Sequence, residues 1–178
     1  MPPVYFNLQA QINRDTAAKL IGGIETKLRE GMTELHLLIA SPGGFIDPGM
    51  AMYNFLRGIP VPVTTYNYGN VDSVATVVYC AGKRRLATPQ CRFLIHGVTW
   101  TFSQPATLTE QQLREMLGNV AAMKNNIADV IAATSGQPVA KVEADMSSSL
   151  TLQAAEAKTY GLVHDLTETL VPPGADLA

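Results

Sequence analysis

The chain has 178 residues, enough for one domain with a sizeable core. An apolar content of 47%, a charged content of 16% and a net charge of -2 exclude a disordered chain, a basic nucleic-acid binder and a polybasic membrane anchor. So few charges also point to surface covered by other subunits.

The N-terminal stretch MPPVYFNLQAQ has neither the basic nor the apolar region of a signal peptide. No apolar run reaches the roughly 20 residues needed to span a bilayer. Cys80 and Cys91 lie in or beside apolar runs and read as buried thiols, so the expected setting is soluble and cytoplasmic.

In chain order, residues 4–12 alternate and predict a first strand. Residues 14–31 predict a helix capped by Asp15 or Thr16, with Leu20, Ile21, Ile24 and Leu28 inward and Gly31 as its stop. A short apolar strand over 34–40 breaks at Ser-Pro-Gly-Gly (41–44), and a helix follows over 47–59 with Pro48 in its first turn. A strand over 61–69 leads through a glycine-led turn into a buried helix behind Ser73. Residues 84–89 and 92–102 read as strands, and Thr109 with Gln112 makes a capping box for a long helix over 110–133. Two short helices follow, within PVAKVEADM and QAAEAKTYGLV, and residues 172–178 read as a frayed tail. Strands alternating with helices predict an α/β domain with a covered, mostly parallel sheet.

Three positions carry chemistry. The glycines of Ser-Pro-Gly-Gly allow positive φ and let a backbone N–H approach a ligand closely, as an oxyanion hole requires. By itself the motif reads better as a tight turn. Ser73 comes 29 residues after Gly44, at a predicted helix start where free N–H groups favour negative charge, with the Val74 N–H as a second donor. An N-cap serine is the commoner use of such a position. His96 ends a β-rich run just before a glycine, placed to serve as a base, and a structural histidine is about as good a reading. His36 and His164 lack comparable context. No cluster of His, Cys and carboxylates has metal-ligand spacing, and no cofactor is expected.

Taken together, SPGGFIDPGMAMY (41–53), GNVDSVATVVYCAGKRRLATPQCRFLIH (69–96), SGQPVAKVEAD (135–145) and AAEAKTYGLV (154–163) resemble the Clp protease proteolytic subunit (ClpP) family over nearly the whole chain. The resemblance implies a single domain, residues 1–178, with a ClpP/crotonase-like α/β fold of repeated ββα units. It also implies a protruding strand–helix handle at about 97–133 and a homo-oligomeric ring that hydrolyses peptides or unfolded polypeptides. Ser73 would be the nucleophile, His96 the base, and the N–H groups of Gly44 and Val74 the oxyanion hole.

Some positions depart from the family. Its catalytic acid lies seven residues before the glutamate of the Glu-Ala…Tyr-Gly segment, and counting back from Glu156 gives Ser149. Three readings stand open: Ser149 orients His96, Asp145 reaches in as an alternative orienter, or the acid is lost with most of the activity. Asp72 would either oppose alkoxide character at Ser73 or cap the helix. The first strand begins almost at Met1, which counts against docking to an AAA+ unfoldase and points to a stand-alone particle. Trp100 and Phe102 alternate as in a strand and are expected to bury against a neighbouring subunit. Competing functions are a weak or inactive structural homologue and, more distantly, a crotonase-type acyl-CoA enzyme.

Overall fold

The structure is a computed structural model that describes residues 3–102 and 104–178. Its elements run β1 (Val4–Leu8), α1 (Arg14–Arg29), β2 (Leu35–Ser41), α2 (Ile46–Gly58), β3 (Val63–Asp72), α3 (Val74–Tyr79), β4 (Arg84–Ala87), β5 (Arg92–Ile95), α4 (Glu110–Ser135), α5 (Val139–Ser148), β6 (Leu150–Gln153), α6 (Ala154–Tyr160), β7 (Asp165–Leu166) and β8 (Asp176–Leu177).

The strands form one sheet, ordered β6-β5-β3-β2-β1-β8, with β4 and β7 on a side branch. The long strand β3 makes the fork. Its first half, Thr64 to Asn67, pairs with β4, and its last three residues, Asn70 to Asp72, pair with β5. Every pairing is parallel except β5 with β6, and the successive parallel pairs β1–β2, β2–β3 and β3–β4 are each joined through a helix.

Strand β2 is almost wholly buried because both its faces are covered. Leu35, Leu37 and Ile39 join the main core with Val4, Phe6 and Leu8 of β1, Val71 of β3 and Phe93 of β5. Leu38 joins a second cluster with Tyr5, Tyr66 and Leu86, against which Leu170, Val171 and Ala175 of the C-terminal segment pack. The region expected to fray therefore docks. Asp176–Leu177 pairs with β1, the Ala178 N–H donates to the Tyr5 carbonyl at 3.0 Å, and Lys27 binds Asp176 at 3.0 Å.

Other local expectations shift for identifiable reasons. Helix α1 is capped by Asn13 rather than Asp15 or Thr16; the Asn13 side chain takes the Thr16 N–H while the Thr16 hydroxyl takes the Asn13 N–H. The box at Thr109 and Gln112 opens α4 as its spacing predicts. Gly69 begins no turn, because β3 continues to Asp72 once β5 lies beside it. The strand expected over 92–102 stops at Ile95; Trp100 and Phe102 are about half exposed and have no neighbouring strand among the described residues.

Candidate active site

Two turns meet where β2 and β3 end. After β2, the Ser41 hydroxyl donates to the Ala10 carbonyl at 2.6 Å and accepts the Gly43 N–H at 3.2 Å. The chain then passes through positive φ at Gly43 (84°) and Gly44 (151°). A side chain on Gly44 would put its Cβ 2.1 Å from the Ile12 carbonyl oxygen, so only glycine fits. Two hydrogen bonds clamp this turn: Ile12 N–H to the Gly43 carbonyl at 2.8 Å and Phe45 N–H to the Ile12 carbonyl at 2.9 Å. The Gly44 N–H between them has no acceptor among the described residues.

Ser73 joins β3 to α3 in a conformation that L-residues rarely adopt, φ 59° and ψ -133°. Such backbone costs about 1–3 kcal/mol and persists only where its surroundings impose it. Here the Ser73 N–H donates to the Leu94 carbonyl at 2.8 Å, and its carbonyl accepts the Thr76 N–H at 3.0 Å. All six residues of α3 are buried behind it. The Ser73 side chain makes no capping hydrogen bond, so this hydroxyl is not serving as a helix cap. Val74 is the first residue of α3, where a helix N–H has no partner of its own.

The parallel pairing of Asp72 with Leu94 brings the ends of β3 and β5 side by side. Ser73, His96 and Gly44 consequently line one cavity of about 480 Å³, with Ile95, Met123, Ile127 and Ile131 among its apolar walls. His96 Nδ1 lies 2.7 Å from the Gly97 carbonyl oxygen. A carbonyl only accepts, so Nδ1 carries the proton and Nε2 keeps its lone pair free.

His96 is hydrogen-bonded by neither of the side chains considered for its orienter. Extending the antiparallel β5–β6 register one step past Ile95 and Leu150 places Ser149 opposite His96. Ser149 closes α5 in the left-handed conformation, φ 57° and ψ 58°, with its side chain exposed. Asp145 is engaged elsewhere, accepting from Lys141 Nζ and the Tyr160 hydroxyl, each at 2.7 Å. Burial, and then this bond to Asp145, push the Tyr160 phenol well above its ordinary pKa. Sequence reasoning missed the Gly97 carbonyl. Every residue carries that group, so no residue type signals it.

Asp72 neither caps α3 nor enters the cavity lining. Its Oδ2 accepts from Arg92 and from Asn70, each at 3.0 Å, on the sheet face opposite Val71 and Phe93. The other histidines are engaged as well. His36 Nδ1 meets the Tyr66 hydroxyl at 2.8 Å and its Nε2 lies 3.2 Å from Glu34. Burial holds its pKa down against the pull of Glu34. His164 Nδ1 accepts the Arg85 N–H at 3.1 Å, and burial followed by the Arg85 charge lowers its pKa. Among the described residues no three metal-ligating side chains come together.

An ATP-dependent Clp protease proteolytic subunit of Helianthus annuus is 29% identical over 159 residues, which is 88% of this chain and 80% of that protein. The solved structure of a ClpP1 mutant from Listeria monocytogenes superposes with a TM-score of 0.80 at 24% identity, covering 93% of this chain and 91% of that one. The Clp protease family model matches residues 5–169, from β1 past β7. So long a match takes in both turns, the cavity and the strands that build it, and the chain belongs to the Clp protease family.

Proposed function

We propose that this protein is a serine peptidase subunit that hydrolyses peptides or unfolded polypeptides within a homo-oligomeric ring. The observation that carries the reading is Ser73: a strained, uncapped hydroxyl that shares one cavity with a histidine whose Nε2 is free to accept a proton. Membership of a family of serine peptidases supports it.

In the first half-reaction Ser73 Oγ attacks the peptide carbonyl carbon as His96 Nε2 takes its proton. The carbonyl oxygen becomes an oxyanion, held by the N–H groups of Gly44 and Val74. Collapse breaks the C–N bond, and His96 returns the proton to the departing amine. Water then attacks the acyl-enzyme through the same base, releasing the carboxylic acid and restoring Ser73. The Gly97 carbonyl keeps His96 in the tautomer that these transfers need. No hydrogen bond joins Ser73 to His96 here, as is common before substrate closes such a site.

The exposed Phe102, Leu113 and Leu117 support ring assembly through the segment 97–133. The free thiols of Cys80 and Cys91 suit the cytoplasm. No helix among the described residues is long and apolar enough to cross a membrane.

The test is labelling with a fluorophosphonate probe, mapped by mass spectrometry, with Ser73→Ala and His96→Ala as controls. Modification at Ser73 that depends on His96 is expected. A well-folded ring that takes no label would instead make the protein a structural subunit. That no carboxylate among the described residues bonds His96 is the one observation on the side of that second reading.

A further inference from the structure

Charge in the cavity lining is one-sided. Among the described residues that line it, Asp47 is the one carboxylate, and none is a lysine or arginine. Asp47 lies in the first turn of α2, exposed, and makes no ion pair or hydrogen bond among the described residues. Two aromatic rings line the same cavity: Phe45, 66% exposed, and Trp100, 47% exposed. Ring faces near a carboxylate attract an ammonium or guanidinium group. A negative side chain in a helical first turn also complements the helix dipole, which would account for Asp47 alone. It would not account for two exposed aromatics lining the same cleft as Ser73 and His96.

Resting on the peptidase reading above, we propose that the cleft selects polypeptides with an arginine or lysine side chain close to the scissile bond, held by Asp47 between Phe45 and Trp100. The apolar wall of Ile95, Met123 and Ile127 takes an uncharged neighbour. A semi-exposed ion pair and a cation–π contact together are worth about a 5- to 30-fold preference.

The experiment compares quenched fluorogenic peptides that differ only in arginine or its neutral isostere citrulline beside one apolar residue. The wild-type protein is expected to favour the arginine peptide in kcat/KM by that factor, and less so in high salt. In Asp47→Asn the ratio falls toward one, and Asp47→Glu retains part of it. A dipole-complementing role would not change this ratio. Equal rates for the two peptides, or the same ratio in Asp47→Asn, overturn the proposal.

A second arm keeps it separate from the peptidase reading. Trp100 is the chain's one tryptophan, so its fluorescence reports peptide binding to Ser73→Ala without turnover. Tighter binding of the arginine peptide, lost on adding Asp47→Asn, supports the proposal even if no peptide is cleaved. Equal binding, or none, overturns it.

Discussion

Replacing Gly44 by alanine tests whether the Ser41–Phe45 turn is rigid enough to hold an oxyanion donor. The new Cβ would stand 2.1 Å from the Ile12 carbonyl oxygen at a φ of +151°, so the two segments must separate by about 1 Å or more. Separation breaks the two clamping hydrogen bonds of Ile12 and Phe45, each worth about 1 kcal/mol. Backbone strain adds about 1–3 kcal/mol, for a total of about 3–5 kcal/mol. In a chain of this size that lowers Tm by about 6–20 °C. Gly31→Ala is the matched control. Its φ is +87° and nothing lies within 4 Å of the added Cβ, so it carries only the backbone term, about 1–2 kcal/mol. Differential scanning calorimetry gives both melting points. Fluorophosphonate labelling at 25 °C, where both variants remain folded, gives the state of the site. Gly44→Ala is expected to label at least about 100-fold more slowly than wild type, because its N–H no longer points where the oxyanion forms. Gly31→Ala should label as the parent does. Melting points within about 2 °C of each other, or wild-type labelling of Gly44→Ala, would refute the rigid-turn argument.

Three further outcomes follow from other parts of the molecule. Burial lowers the pKa of His36 below its unfolded value, so the unfolded chain binds the extra proton first; Tm should fall as pH drops from about 6.5 toward the folded pKa, and His36→Gln should flatten that slope in a melting series. Burial pushes the Cys80 thiol up to about 11 and the Cys91 thiol up to about 12, so Ellman's reagent at pH 8 should titrate neither in the native protein and both in guanidinium. Ser149→Asp places a carboxylate opposite His96 in the extended β5–β6 register, at a left-handed position that aspartate tolerates. It should speed labelling about tenfold or more, because the carboxylate stabilises imidazolium; an unchanged rate means the α5–β6 turn holds residue 149 away from the ring.

The site was more legible than its surroundings. Ser73 and His96 stood out because the proposed nucleophile and base need particular side chains, and the Gly43–Gly44 pair because only glycine passes through that turn. Features made by distant partners were not legible. Gly69 looks like a turn residue, yet the Asn67 side chain takes its N–H at 3.1 Å and β5 extends the strand beyond it. The Pro-Pro-Gly tail reads as frayed, while Lys27 and the edge of β1 fix its end. Trp100 and Phe102 alternate like strand residues, but a strand needs a neighbour, and none of the described residues supplies one. The cap of α1 escaped because Asn-x-x-Thr closes the same reciprocal pair of bonds as the usual Ser/Thr-x-x-Glu/Gln pattern.

The carbonyl at His96 also bounds how much activity the missing acid costs. A triad carboxylate holds the imidazole in the correct tautomer and stabilises the imidazolium that forms during transfer. Replacing it by a carboxamide lowers kcat about 10⁴-fold chiefly because the wrong tautomer results. The Gly97 oxygen cannot donate, so it preserves the correct tautomer at 2.7 Å and forgoes only the charge stabilisation. The penalty should therefore be smaller than that 10⁴-fold. The strained Ser73 backbone and the two turn N–H groups do not depend on the third member at all. On the proposed reading the protein is a slow peptidase that keeps most of its positioning, and a carboxylate at position 149 would add the one contribution it lacks.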